Sequence, residues 1–327
     1  MVWFISNTLS VSGRMRRAIR RAEAQFEGQE ICHRQATEIS DYSSFFASLA
    51  PEDSVVLLGG DGTLNYLVNA VDPSEIKTPV FSCMAGTGND FLRDVLDNKV
   101  ADGTLYRIND ALRNLPVAEV NGKTYRFLNN LAFGIDGEVC TVADDLKAKG
   151  WKRLNYTVIA AWLLLRYRPI AADVTVDGEK RHLENVWLAP TMNGRFFGGG
   201  MKVAPGQDRF SDKVTFVAFS CRNRLKTMLL FPRLFPGTHT SRPEVTILLG
   251  HEVEVTYVEP RDVQMDGEVV RGVLSYRVRK GDGDAWGTLL NEHKALCVPH
   301  LACSSLKYCR KRQYFSVGCK SKVPPHP

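Results

Sequence analysis

The longest unbroken apolar run in this chain is the eight residues Val158 to Leu165. A spanning helix needs about 20, so no transmembrane segment is expected. The start, Met1-Val2-Trp3-Phe4-Ile5, is apolar but has no basic stretch before it, and so lacks a signal-peptide pattern. A cytoplasmic setting with reduced thiols is expected, with peripheral attachment to a membrane left open. None of the eight cysteines forms a C-x-x-C pair. Cys297, Cys303, Cys309 and Cys319, with His300, have spacings that match no zinc pattern. There is no G-x-x-x-x-G-K segment and no G-x-G-x-x-G in a strand-to-helix setting, which excludes a P-loop and disfavours a dinucleotide site. No repeat of 20 to 50 residues is evident. Acidic residues are missing from Lys294 to the end, where seven Lys and Arg occur. Without that tail the body is close to neutral, so the net charge of +6 does not argue for nucleic acid.

What remains is an ordinary globular balance, 44% hydrophobic and 24% charged, over 327 residues. That is enough for two domains. The first third alternates strands and helices. Val2 to Ser6 reads as a strand, and Arg14 to Phe26 as a helix with Met15, Ile19, Ala22 and Phe26 at helical spacing. Asp53 to Leu58 reads as a buried strand ending at Gly59. Thr63 to Val71 reads as a helix, Thr78 to Met84 as a strand ending at Gly86, and Asn89 to Leu96 as a helix. A βαβαβα run implies a parallel sheet with helices on both faces. From Val117 to Val278 short β-rich stretches separated by Gly, Asn and Asp turns dominate, with one helix from about Leu154 to Arg168. The expected organisation is an α/β domain over 1–116, an antiparallel β domain over 117–280, and a basic, Cys-containing, partly disordered tail over 281–327.

The chemistry gathers at two glycine-rich turns. Gly59-Gly60-Asp61-Gly62-Thr63 lies between a buried strand and an amphipathic helix. Glycines there let backbone amides and a helix start approach a phosphate. An acid such as Asp61 among phosphates repels them unless it holds Mg²⁺ or takes a proton from the attacking hydroxyl. Ala85-Gly86-Thr87-Gly88-Asn89-Asp90-Phe91 again follows a strand and opens a helix. Successive βα units bring both turns to one edge of the sheet. Thr87, Asn89 and Asp90 there suit a ribose, phosphates and a metal.

These two segments resemble the catalytic domain of the diacylglycerol kinase family, which includes sphingosine and ceramide kinases and bacterial lipid kinases. The resemblance continues in order through Asn129-Asn130-Leu131-Ala132-Phe133-Gly134-Ile135-Asp136-Gly137-Glu138-Val139. It then runs through Asn193-Gly194, Gly198-Gly199-Gly200-Met201-Lys202-Val203-Ala204-Pro205, and Val263-Gln264-Met265-Asp266-Gly267-Glu268. It spans roughly residues 1 to 278. It implies an N-terminal nucleotide domain like those of NAD kinases and phosphofructokinases, then a β-sandwich, with the active site between them. It implies a kinase that moves the γ-phosphate of ATP, with Mg²⁺, to the hydroxyl of a diacylglycerol-like, sphingoid or ceramide lipid at a membrane surface. A homodimer is left open. By resemblance, Gly59, Gly60, Gly62, Thr63, Gly86, Thr87, Gly88, Asn89 and Asp90 hold the nucleotide, with Asn7 and Arg14 beside it. Asp61 and Glu268 are the two candidates for the base. Asp90 serves the metal, and Asp208 or Asp212 takes a further acidic role.

The chain departs from the family pattern at Thr8, Tyr66, Pro116 and Ser211-Asp212-Lys213. Pro116 stands where many members carry an Asp, with Glu119 the nearest acid. Two alternatives are therefore carried: an inactive nucleotide-binding relative, and a kinase of a soluble metabolite such as NAD.

Overall fold

The structure is a computed structural model that describes residues 1–6, 13–84, 89–101, 103–151 and 154–281. Its first part contains β1 (Val2–Ser6), α1 (Gly13–Glu23), β2 (Ile31–Gln35), α2 (Tyr42–Ala47), β3 (Ser54–Gly59), α3 (Asp61–Ala70), β4 (Val80–Met84), α4 (Asp90–Val95), β5 (Leu105–Arg107) and α5 (Asn109–Arg113). The strands order as β2-β1-β3-β4-β5. The first four are parallel, and β5 closes the edge antiparallel to β4. The central run Val55-Val56-Leu57-Leu58 is buried throughout, as a parallel strand covered on both faces must be. Phe4, Val56 and Leu58 pack with Ala18 and Ala22 of α1 on one face. Ile5, Val55 and Leu57 pack with Phe45, Leu64, Leu67 and Phe91 from α2, α3 and α4 on the other. This is the expected doubly wound sheet, with one antiparallel strand added at its edge.

The second part contains β6 (Val117–Val120), β7 (Lys123–Arg126), β8 (Asn130–Gly134), α6 (Ile135–Ala148), α7 (Tyr156–Arg166), β9 (Ile170–Val176), β10 (Glu179–Met192), β11 (Val214–Ser220), α8 (Arg224–Leu230), β12 (Val245–Gly250), β13 (Glu252–Met265) and β14 (Glu268–Arg279). Its strands form one antiparallel sheet in the order β12-β11-β10-β8-β13-β14-β6-β7. β9 pairs with both β10 and β13, and so does β8. The two long strands can serve both partners because bulges break their register, near Asn185 in β10 and between Thr256 and Val263 in β13. A bulge bends a strand and sharpens its twist. The sheet therefore folds over an interior of Phe133, Val174, Val214, Val255, Val263 and Val278, the expected sandwich-like layer.

Among the described residues three α-helices lie in this part, where periodicity reads only one. α6 begins inside the Asn129–Val139 motif and buries Ile135, Val139 and Ala143 at four-residue spacing. α8 is only seven residues long, too short to show a period. α7 starts at Tyr156 because Asn155 caps it, accepting from the amides of Thr157 and Val158. In the first part, α3 starts two residues before Thr63, which puts Asp61 in its first turn. Among the described residues no helix is long and apolar enough to cross a membrane.

Candidate functional site

Where β3 meets α3 the backbone turns over itself. A Cβ on Gly59 would sit 2.1 Å from Oγ1 of Thr63, so nothing larger than glycine fits. Gly60 caps α3 without a side chain, leaving the donors of the first turn directed at the mouth of the sheet. A Cβ on Gly62 would meet nothing within 4 Å, so the loop is open there.

Asp61 turns away from its own helix. Its Oδ2 accepts from the amide of Asp90 at 2.8 Å and its Oδ1 from that of Phe91 at 3.1 Å. One carboxylate thus closes the first turn of α4 and ties the two glycine-rich turns together. Each oxygen keeps a further lone pair.

Asp90 is in turn held from the second part of the chain. Gly198, Gly199 and Gly200 take φ of 64°, 83° and 110°, a run that only glycine adopts readily. The run points amides at one spot, and Gly199 N donates to Asp90 Oδ2 at 2.8 Å. Asp90 Oδ1 is buried with no hydrogen-bond partner, and the Arg93 guanidinium lies 3.5 Å from it. The glycine triplet therefore grips a carboxylate of the other domain.

Asp266 completes a trio. It occupies the left-handed region, φ 49°, at the tip of the β13–β14 hairpin. Its carboxylate accepts from Asn65 Nδ2 on α3 at 2.8 Å. It also accepts from the amides of Leu128, Asn129 and Asn130, at 2.6, 2.8 and 3.2 Å. Burial, then Asp90, pushes the Asp61 carboxyl up to about 7, with Asp266 adding to the effect. Burial also raises Asp90 and Asp266. Glu268 is raised by burial first, then by Asp144, with Lys147 opposing and Asp266 again contributing. Asp266 thus acts on both candidate bases.

Beside the trio lies a buried clamp. Asp94 of α4 accepts from Arg195 Nε at 2.6 Å and from Arg209 Nε at 2.7 Å. Arg209 also reaches Leu128 O and Asn129 Oδ1 and lies over the Phe91 ring at 4.5 Å. Lys280 Nζ donates to Asn193 Oδ1 and to Arg209 O, and burial with Arg209 nearby pulls its amine down to about 7. Removing one partner of a buried pair leaves the other charge uncompensated. Asp94→Ala should therefore lower unfolding free energy by about 3–5 kcal/mol in urea titration. A loss below about 1 kcal/mol, the value of an exposed pair, would show that the clamp bears little load.

The structure brings Asp61 and Asp90 together and sets Asn89 as the N-cap residue of α4. Asp208 and Asp212 are exposed and act electrostatically on Lys280, whereas Asp90 acts on Asp61. Among the described residues no three His, Cys, Asp or Glu side chains stand close enough to hold a metal ion by themselves. Asn7, Gly86, Thr87, Gly88 and the tail from residue 282 lie outside the described residues, as does the side chain of Arg14, whose backbone is in α1. Glu119 faces Arg277 across the β6–β14 ladder. Phe196 and Phe197 are buried. Asp266, Asp94, Arg195 and Arg209 were not singled out from sequence. Asp266 stands inside its motif, but only the hairpin shows what its oxygens hold.

Two family models match the chain. One, described as the diacylglycerol kinase catalytic domain, covers residues 1–120. The other, described as the YegS C-terminal NAD kinase beta sandwich-like domain, covers 129–280. A protein named diacylglycerol kinase from Mycobacterium tuberculosis is 27% identical over 62% of this chain and 66% of its own length. The chain thus spans about two thirds of that relative. A diacylglycerol kinase from Bacillus subtilis is 25% identical over 68% of this chain and 73% of its own. A crystal structure titled as a diacylglycerol kinase from Bacillus anthracis superposes with a TM-score of 0.59 at 19% identity, covering 86% and 94% of the two chains. At that identity it shows the shared fold alone.

Proposed function

Since the chain belongs to the diacylglycerol kinase catalytic-domain family, we propose that it transfers the γ-phosphate of ATP to the hydroxyl of a diacylglycerol-like lipid. The observation that carries this reading is the Asp61 carboxylate. It sits in an open glycine turn at a helix start, with its pKa raised to about 7 by burial and Asp90. A base poised near neutrality, beside a phosphate-binding helix start, suits hydroxyl deprotonation during phosphoryl transfer.

Gly60, Gly62 and the first turn of α3 receive phosphate oxygens. Asn7, Arg14 and the Gly86–Gly88 turn join the nucleotide site on sequence resemblance. Mg²⁺ would be held through Asp90, whose buried Oδ1 lacks a hydrogen-bond partner, and through phosphate oxygens. It would supply charge neutralisation on the transferring group. Asp61 takes the proton of the lipid hydroxyl. Asp266 and Gly199 hold α3, α4 and the second domain in the arrangement that keeps Asp61 and Asp90 apart from bulk water.

The test is label transfer from γ-labelled ATP with Mg²⁺ to diacylglycerol, ceramide and sphingosine in mixed micelles. Labelled diacylglycerol product is expected, and no labelled lipid from any of the three would overturn the reading. The Asp61 pKa also fixes a pH limb. The base works ionised, so kcat/KM for the nucleotide should fall below an apparent pKa of about 7. A flat profile between pH 5.5 and 8 would remove Asp61 from that role.

One observation favours a second reading, a nucleotide-binding relative without turnover. Pro116 offers no carboxylate, and Glu119 stands opposite Arg277 in the β6–β14 ladder. ATP binding with no lipid labelled would support it.

A further inference from the structure

α7 is apolar on nearly every side. Its inner face, Ile159 and Leu163, packs into a buried apolar cluster with Trp187 and Phe219. Its outer face exposes Val158, Trp162 and Leu165. A helix apolar all round ordinarily lies inside a protein or against lipid. α8 continues the surface, with Leu225 and Leu229 72% and 75% exposed. The two helices are fastened together, since Arg224 at the start of α8 donates to Leu164 O at 2.7 Å and Tyr167 O at 2.9 Å. Scattered exposed apolar residues need no explanation, but two joined helices presenting the same chemistry do.

The segments that carry them are basic. No Asp or Glu occurs between Asp145 and Asp173, or between Asp212 and Glu244, while each interval holds six Lys and Arg. Lys147 and Lys226 are paired with Asp144 and Glu244. Arg168, Arg222 and Arg233 are exposed and make no ion pair among the described residues. The Arg166 guanidinium lies over the exposed Trp162 ring, 4.9 Å from its centre, so the apolar face and the basic rim are continuous.

We infer that the outer face of α7 and α8 docks on an anionic lipid bilayer, its leucines and Trp162 entering the headgroup boundary and its arginines meeting lipid phosphates. An aromatic and aliphatic face rimmed by Lys and Arg is the pattern of interfacial binding. A protein partner would need matching acids, and a second copy of this chain would bring the same cations against these. Docking itself does not depend on catalysis. Its meaning, holding the site against the layer that carries the acceptor, rests on the function proposed above.

The test uses the full chain with vesicles of phosphatidylcholine alone and of equal parts phosphatidylcholine and phosphatidylglycerol. The wild type should sediment with the anionic vesicles, less so as salt is raised, and poorly with the neutral ones. Trp162→Glu with Leu229→Glu, and separately Arg168→Glu with Arg222→Glu, should each weaken binding at least about tenfold. All four residues are exposed, and unchanged melting temperatures would confirm that the variants fold. Equal binding by wild type and variants, or no sedimentation of the wild type, overturns the inference. So does a wild-type dimer that the Trp162→Glu pair dissolves without vesicle binding, which would make the face a contact between copies. Sedimentation by a chain that phosphorylates no lipid would end the proposed function and keep the docking. Lipid phosphorylation in detergent micelles by a chain that ignores vesicles would do the reverse.

Discussion

Asp61→Asn should give a folded protein that still binds ATP and transfers phosphate at least about 100-fold more slowly, the lower bound for losing a positioned base. The amide cannot take a proton, whereas its carbonyl still accepts from one of the two α4 amides that Asp61 now serves. KM for ATP should change little, because the phosphates meet backbone groups and a helix start. Stability gives a second readout with a definite sign. Asp61 is an acid whose folded pKa, about 7, lies above the ordinary carboxyl range. The folded state therefore binds the proton more tightly, and the contribution of this group to stability falls as pH rises through about 7. At pH 7.5 the buried, ionised Asp61 carboxylate works against folding, so Asp61→Asn should melt no lower than the wild type. The comparison should tilt back toward the wild type near pH 5, where Asp61 is already protonated. Transfer within about tenfold of the wild type would instead leave Glu268 as the base, and Glu268→Gln run in parallel would then show the larger loss.

Much of this arrangement was legible in the chain before the fold was known. A run such as Val55-Val56-Leu57-Leu58 ending in glycines can hardly be other than a covered parallel strand meeting a tight turn. The Asp inside that turn was conspicuous for the same reason. What periodicity could not supply was the partner of each polar group. The glycine triplet is legible as a motif, yet nothing in the sequence says that its Gly199 amide holds Asp90. Asp94 and Arg209 stand 115 residues apart in sequence and meet only because α4 docks on the second domain. α6 was hidden because its first turn lies within a motif that also supplies β8. The short edge strand β5, three residues long, carries too little pattern to be seen.

Asp266→Ala should rank with Asp94→Ala among the most damaging single changes to stability, and its effect on stability should separate from its effect on chemistry. The wild-type carboxylate takes four hydrogen bonds, three of them from consecutive backbone amides of Leu128, Asn129 and Asn130. Those residues are 0–2% exposed, so water cannot readily replace the lost acceptor. Each buried donor left unpaired costs about 1–3 kcal/mol. Alanine at a left-handed position adds about 1 kcal/mol. Because the hairpin tip can relax, the sum should not be fully realised, and a loss of about 4 kcal/mol in urea titration is the expected result. Asp266→Asn keeps an oxygen and tolerates φ near 49°, so it should lose about half as much. It also removes a negative charge that raises Asp61 and Glu268. Whatever transfer survives in Asp266→Asn should therefore keep its rate to lower pH than the wild type, because the base ionises more easily once that neighbour is neutral. If Asp266→Asn loses as much stability as Asp266→Ala and its acid limb does not move, the four hydrogen bonds and the charge are not the terms that matter at this hairpin. If the stability loss halves and the limb shifts, one residue both fastens the domains together and sets the proton affinity of the base between them.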